Sequence, residues 1–312
     1  MLKNIFKVLS GNAFSSLATY ICLLYISMIT TSVEYGGFTK FFYAVSILYF
    51  VLDLGLSSSL IVFLSSKNKA FYISDIIEKF KFEFISCVVI SGIIFYFFFP
   101  LITIALIMIS SIIAVTNRLI SIKFQINQDW TNSALTVLLL NTVRSVLLFV
   151  FIFLFNSYEE NVGSADLEIL FFISTMIGAI VCWSALKRKI SVIECIKLEK
   201  KELTSSSTYI YLGSIFAILC MRVDIFLVDY FLSPELAGSY ARVSILFFVF
   251  PLLINSMNSV LLRHYSSSNN SRTETRSYIK FLLSFVLVIL FVTVAIASYF
   301  YENLLSVTIR NR

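Results

Sequence analysis

Long apolar segments alternate with short polar loops along the whole chain, and this alternation is its most informative feature. Most of the segments approach the length of about 20 residues that crosses a bilayer as a helix. Nine segments can be read, at 10–30, 37–64, 84–99, 101–120, 133–155, 167–186, 208–231, 237–261 and 279–299. The pattern predicts an all-α fold, a polytopic transmembrane helical bundle of about nine helices.

Basic residues are concentrated in every second loop between these segments. Eighteen of the 24 Lys and Arg residues lie at the N-terminus and in four loops, around 67–81, 118–123, 187–201 and 263–280. The intervening loops contain none and carry acidic residues instead, namely Glu34, Glu159, Glu160, Asp166, Glu168 and Glu235. Because short cytoplasmic loops retain Lys and Arg, the pattern predicts a multi-pass inner-membrane protein with a cytoplasmic N-terminus.

The composition agrees with a membrane location and argues against other partners. Hydrophobic residues make up 59% of the chain and charged residues 13%, against about 25% charged in soluble domains. The net charge of +6 comes from the basic loops, so nucleic acid is not expected as a partner. Four of the five cysteines lie inside apolar segments and none shows metal-ligand spacing. We therefore predict neither a metal nor another cofactor.

The loops leave little room for an enzyme active site. Those on the predicted outer side are short, at 31–36, at Pro100, at about 156–166 and at 232–236. His264 is the only histidine, and neither Ser-His-Asp chemistry nor a phosphate-cradling loop can be read from the sequence. The sequence therefore predicts a protein whose helices hold its function, most simply a transporter, and not an enzyme.

A charged segment at 187–206 follows the sixth apolar segment. Apolar residues recur within it at roughly helical spacing, at Ile190, Ile193, Ile196 and Leu198. This spacing indicates an amphipathic helix lying on the inner leaflet. The predicted organisation is an N-terminal six-helix lobe at 1–186, a cytoplasmic amphipathic linker at 187–206, and a partial C-terminal lobe of three helices at 207–312.

Two short matches indicate an internal repeat. Gly11-Asn12-Ala13-Phe14 aligns with Gly213-Ser214-Ile215-Phe216, and Ser32-Val33-Glu34-Tyr35-Gly36-Gly37 aligns with Ser233-Pro234-Glu235-Leu236-Ala237-Gly238 after a one-residue gap. Six crossings separate the copies, so both have the same orientation. The sequence thus predicts two lobes related by a parallel six-helix repeat, whose axis lies along the membrane normal.

Two stretches resemble a known transporter family. Glu34-Tyr35-Gly36-Gly37-Phe38, leading to Asp53-Leu54-Gly55-Leu56-Ser57-Ser58, is similar to the second-helix region of polysaccharide biosynthesis flippases. Residues 221–240 are similar to the seventh-to-eighth helix segment of the same proteins. These flippases belong to the multidrug/oligosaccharidyl-lipid/polysaccharide exporter superfamily, and the chain resembles their O-antigen subgroup most.

The resemblance implies a function and a set of partners. A bacterial inner-membrane flippase of this family moves an undecaprenyl-pyrophosphate-linked oligosaccharide, a repeat unit of O-antigen in lipopolysaccharide or of another surface polysaccharide, by rocking two lobes. The implied partners are the lipid-linked oligosaccharide, membrane lipids, a polysaccharide polymerase and a chain-length regulator. The family has two lobes of six helices, whereas nine are predicted here. Arg310 and Arg312 would also lie outside, against the charge pattern. We therefore expect an incomplete product, or one that needs a complementary piece and transports poorly alone.

Four basic residues lie within the apolar segments, namely Lys40, Arg144, Arg222 and Arg242. A charge near the bilayer centre costs about 2.5–3.5 kcal/mol on insertion scales, so each needs a partner or a watery cavity. Together with Asn141, they are the predicted substrate-binding residues for the pyrophosphate and sugar. Snorkelling to the interface is the alternative for Lys40 and Arg242, and a structural contact between helices is the alternative for Arg144.

Two carboxylates within the apolar segments, Asp53 and Asp224, are candidates for coupling transport to protons or cations. A buried, hydrogen-bonded structural role is the alternative for each. Two other functions also stay open at this point. A drug or cation exporter of the same superfamily would favour a cavity rich in carboxylates, and a membrane polysaccharide polymerase would need a longer outer loop than this sequence contains.

Overall fold

The computed structural model describes residues 2–65, 70–158, 162–191, 195–196 and 200–245. Eleven helices and a pair of two-residue strands make up this part of the chain. The helices are α1 Leu2–Ile29, α2 Ser32–Asp53, α3 Leu56–Ser65, α4 Ile73–Lys79, α5 Lys81–Tyr96, α6 Leu101–Ile126, α7 Trp130–Tyr158, α8 Ser164–Ser191, α9 Lys200–Arg222, α10 Asp224–Phe231 and α11 Pro234–Ser244. The strands are β1 Ala70–Phe71 and β2 Cys195–Ile196, which pair in parallel.

Five helices are long and apolar enough to cross a bilayer, consistent with a multi-pass membrane protein. They are α1, α2, α6, α7 and α8, and the pair α9–α10 adds a sixth candidate that is bent by 43° at Val223. The predicted helical class is therefore confirmed. The count of nine stays a prediction, since 279–299 and most of 237–261 lie outside the described residues. The two-lobe repeat and the incomplete second lobe stay predictions as well.

The second predicted segment, 37–64, is interrupted in the structure. Helix α2 ends at Asp53, and Leu54 and Gly55 follow with φ angles of 50° and 68° before α3 begins at Leu56. Glycine adopts this left-handed conformation without a steric penalty, whereas leucine does so at a cost. Hydropathy cannot reveal such a break because both sides of it are equally apolar.

The segment 187–206 also differs from the prediction. Helix α8 continues to Ser191, and α9 already begins at Lys200. Between them, Cys195 and Ile196 form strand β2 beside Ala70 and Phe71, and the neighbouring residues 192–194 and 197–199 lie outside the described residues, so the amphipathic linker stays a prediction there. Ile196, one of the apolar residues whose spacing indicated a helix, pairs with Phe71 in this strand. A short apolar run is compatible with both the helical and the strand periodicity.

Helix α2 occupies the middle of the bundle. It packs against α6 and α8 on one side and against α9 and α11 on the other. Of the five candidate spans it is the most buried inside the protein. Its completely buried side chains include Phe38, Phe41 and Leu48. Contacts made by α2 therefore join the N-terminal helices to α9–α11.

The loops poor in Lys and Arg meet at one end of the bundle, which we call the acidic end. There Gly238 lies against Ser32, and Gly37 lies against Ser164. At the opposite, basic end, Lys189 Nζ donates to Asn132 Oδ1 at 2.8 Å, and β1 pairs with β2. Within the described residues, the loops rich in Lys and Arg thus lie at one end of the bundle and the loops poor in them lie at the other.

Candidate functional site

At the acidic end, α2 and α11 begin with similar capping arrangements. Thr31 caps α2 in a capping box with Glu34, in which each side chain accepts from the other residue's backbone N–H. Ser233 caps α11 by accepting from the Leu236 N–H at 3.2 Å, with Pro234 in the first turn. Capping side chains satisfy backbone donors that a helix start leaves free. Both helices therefore begin at sharply defined positions, 202 residues apart.

The starts of these two helices touch through glycines in a reciprocal way. A Cβ on Gly36 would lie 2.9 Å from the backbone N of Gly238 and 3.2 Å from the carbonyl oxygen of Pro234. A Cβ on Gly238 would overlap the carbonyl oxygen of Ser32. Each glycine thus faces the first helical residue of the other helix. Such close backbone contact requires that neither position carries a side chain.

These reciprocal contacts can be compared with the alignment of the two copies in the predicted repeat. Gly36 and Gly238, Ser32 and Pro234, and the caps Thr31 and Ser233 are all 202 positions apart, as are Gly11 and Gly213. One spacing relates every pair, so the one-residue gap in the sequence match is unnecessary. The sequence match paired Ser32 with Ser233 because both precede a Glu by two residues. In the structure the residue that corresponds to the N-cap Ser233 is the N-cap Thr31.

Lys40 and Arg242 are separated by the same spacing, and each contacts a residue outside its own helix. Lys40 Nζ on α2 lies 2.7 Å from Asp229 Oδ2 on α10, and both side chains are about one-fifth exposed. Arg242 Nη2 on α11 donates to the carbonyl oxygen of Thr30, just beyond α1, at 2.6 Å. A cation beside terminal helix carbonyls is favoured by the helix dipole. Both residues therefore make contacts between different helices.

Arg222 and Asp224 each meet a different helix. The Arg222 guanidinium lies 4.2 Å from the ring centroid of Tyr43 on α2. Asp224 accepts a hydrogen bond from the Tyr240 hydroxyl on α11 and another from the Ile225 N–H at 2.9 Å. These contacts join the first turn of α10 to α11, and ion coupling through Asp224 stays a prediction. They also place Arg222 in the same α2–α10–α11 contact as Lys40 and Arg242.

The α2–α11 contact is closed in this structure. A cavity of about 10 Å³ lies within it, lined by Leu23, Tyr35, Thr39, Phe42, Tyr43, Ala241 and Ile245. This volume is about that of one water molecule. Among the residues that the structure describes, Lys40, Arg222 and Arg242 therefore lie around a packed helix contact with no room for a sugar.

Arg144 and Asn141 lie on α7 and do not line this cavity. The Arg144 guanidinium lies 4.9 Å from the ring centroid of Phe171 on α8, and the buried thiol of Cys22 on α1 is also nearby. Within the described residues, no carboxylate reaches salt-bridge distance of Arg144. Asn141 is half-buried one turn before it. The predicted substrate residues thus form two clusters, one at the acidic end and one between α1, α7 and α8.

Asp53 forms a third location, at the break between α2 and α3. Its carboxylate accepts hydrogen bonds from the Ser57 hydroxyl and from the Ser57 N–H, and it interacts electrostatically with Arg118 on α6. Accepting from a first-turn N–H is the chemistry of a helix cap. The structure therefore favours a structural role for Asp53 at the start of α3.

Replacing Asp53 tests this role against ion coupling. We expect Asp53→Asn to keep activity near that of the parent, because the amide oxygen still accepts from the Ser57 N–H. Asp53→Leu removes the acceptor and is expected to cost about 1 kcal/mol of stability, measured by thermal unfolding in detergent. Loss of transport in Asp53→Asn at normal thermal stability would instead assign Asp53 to coupling.

Sequence reasoning missed Asp229, Glu168, Tyr43 and Phe171 as members of these clusters. Asp229 lies within 221–240, the second stretch that resembles the transporter family, and an acid inside an apolar segment is itself a signal. Its partner lies 189 residues away in the sequence, so the pair could not be read from spacing. Tyr43 and Phe171 could not be singled out from the sequence, because the chain contains 32 Phe and 16 Tyr.

Comparison of the chain with protein-family models, curated proteins and solved structures gave no match. The contacts described above therefore carry the functional argument. They comprise the α2–α11 contact at the acidic end, where Lys40 and Arg242 bind residues of other helices, and Arg144 between α1, α7 and α8.

Proposed function

We propose that the protein is a flippase that moves an undecaprenyl-pyrophosphate-linked oligosaccharide across the bacterial inner membrane by alternating access. The observation that carries this proposal is Arg144, a cation on an apolar helix with no carboxylate partner among the described residues. A charge inside a bilayer needs an opposite charge or water. A diphosphate supplies negative charge that arginine can bind in a bidentate way.

The α2–α11 contact supports the alternating-access part of the proposal. It joins the helices that precede 187–206 to those that follow it, and it is closed at the acidic end. At Gly36 and Gly238 the two helices meet backbone to backbone, so no side chains interlock at that point, although Tyr35 and Ala241 are buried beside it. The oligosaccharide would then pass between the parted helices while the lipid tail stays in the bilayer.

A deletion strain tests the proposed function directly. Radiolabelled lipid-linked oligosaccharide should accumulate on the cytoplasmic leaflet when the gene is deleted, and restoring the gene should return the label to the outer leaflet. Normal translocation with shortened polysaccharide chains would contradict the proposal and favour a polymerase. Normal polysaccharide with increased drug sensitivity would also contradict it and favour a drug or cation exporter.

A further inference from the structure

Lys40 has a second acidic neighbour besides Asp229. Helices α2 and α8 lie side by side at the acidic end, where Gly37 lies against Ser164 and Phe41 lies against Phe171, with ring centroids 5.6 Å apart. Lys40 and Glu168 fall between these contacts and are at the same level of the bundle. The two side chains interact electrostatically. No salt bridge among the described residues joins them, however, because Lys40 is paired with Asp229.

Glu168 is the more enclosed of the two carboxylates. It is 8% exposed and accepts a hydrogen bond from Thr103 on α6 at 2.8 Å. Thr103, Glu168 and Lys40 all belong to the helices before 187–206. Asp229 belongs to α10, on the other side of the α2–α11 contact, and its buried Oδ1 has no hydrogen bond among the described residues. Asp229 therefore binds Lys40 through Oδ2 alone.

Parting α10–α11 from α2 would remove Asp229 from Lys40. A cation left alone between apolar helices is costly, and that cost would oppose opening. Glu168 stays beside Lys40 in such a movement because α2 and α8 pack together through Gly37 and Phe41. A short rotation of the lysine side chain would then form a new pair with Glu168.

We propose that Lys40 is a switch residue that exchanges Asp229 for Glu168 when the acidic end opens. This inference rests on the alternating access of the proposed function. Asp229 stabilises the closed contact and Glu168 stabilises the open one. The two carboxylates thus act in opposite directions on the same equilibrium, although they carry the same charge.

Thiol labelling of a buried position in the closed contact tests the exchange. Thr39 is 6% exposed and lines the small cavity, so Thr39→Cys reports opening through its reaction with a water-soluble maleimide. Labelling is measured in sealed vesicles of both orientations, as the excess over the parent chain with its five native cysteines. No transport substrate is needed, so the assay stands even if the proposed cargo is wrong.

The expected results have opposite signs for the two acids. Asp229→Asn should raise the labelling rate about threefold or more, and adding Glu168→Gln to that variant should bring the rate back towards the parent. In a Lys40→Met chain, neither carboxylate substitution should change the rate further. A higher rate in the double variant than in Asp229→Asn alone would overturn the exchange, as would an undiminished effect in the Lys40→Met chain.

The Lys79–Asp75 salt bridge on α4, with N···O distances of 3.0 and 3.1 Å, supplies a matched control. Asp75→Asn also removes one carboxylate from a lysine but leaves the acidic end intact, so its labelling rate should equal that of the parent. An equal rise in Asp75→Asn would overturn the assignment to Lys40. Membrane levels of each variant, measured by immunoblot, separate altered opening from poor folding.

Discussion

Replacing Gly238 with alanine should produce the largest structural effect of any small substitution in the described helices. The added Cβ would overlap the carbonyl oxygen of Ser32, a backbone atom that cannot move alone. Overpacking of this kind costs about 1–3 kcal/mol, occasionally more. We expect a fall in thermal midpoint of about 3–10 °C in detergent and a higher labelling rate at Thr39→Cys.

Gly213 supplies the control for this substitution. It is also a helical glycine, but a Cβ there would meet no atom of the described residues within 4 Å. Gly213→Ala should therefore leave the midpoint unchanged or raise it slightly, since alanine has the higher helix propensity. Equal midpoints for Gly238→Ala and Gly213→Ala would show that α2 and α11 do not pack as described.

Replacing Arg144 with alanine should abolish complementation of a flippase-null strain while membrane levels stay normal. The proposed role of Arg144 is to bind the anionic headgroup, and alanine has neither charge nor donors. Arg144→Lys should retain only part of the activity, because lysine keeps the charge but loses the planar fork that contacts both phosphate and ring. Surface polysaccharide on immunoblots of whole cells measures the outcome.

Lys81→Ala provides a matched control for Arg144→Ala. Lys81 lies 5.6 Å from the ring centroid of Phe82, so it also loses a cation–π contact, but that ring is 73% exposed. Complementation should be unaffected there. Wild-type complementation by Arg144→Ala would remove Arg144 from the substrate site and leave it a structural contact with Phe171.

Much of the helical architecture could be predicted from the sequence because hydropathy and charge act locally. The segments 101–120, 133–155 and 167–186 match α6, α7 and α8 to within a few residues at most ends. The left-handed turn at Leu54 and Gly55 and the strand at Cys195 could not be predicted. Both depend on backbone conformation and on pairing with distant residues, and an apolar pattern contains no information about either.

The candidate site shows the same division. The sequence alone identified Lys40, Arg144, Arg222 and Arg242 as charges out of place in apolar segments, because the cost of burying a charge depends on residue type and position. Only the tertiary structure decided which of them belong together. It grouped three of them around the α2–α11 contact and set Arg144 apart, since packing of α2 against both α8 and α11 determines which side chains meet.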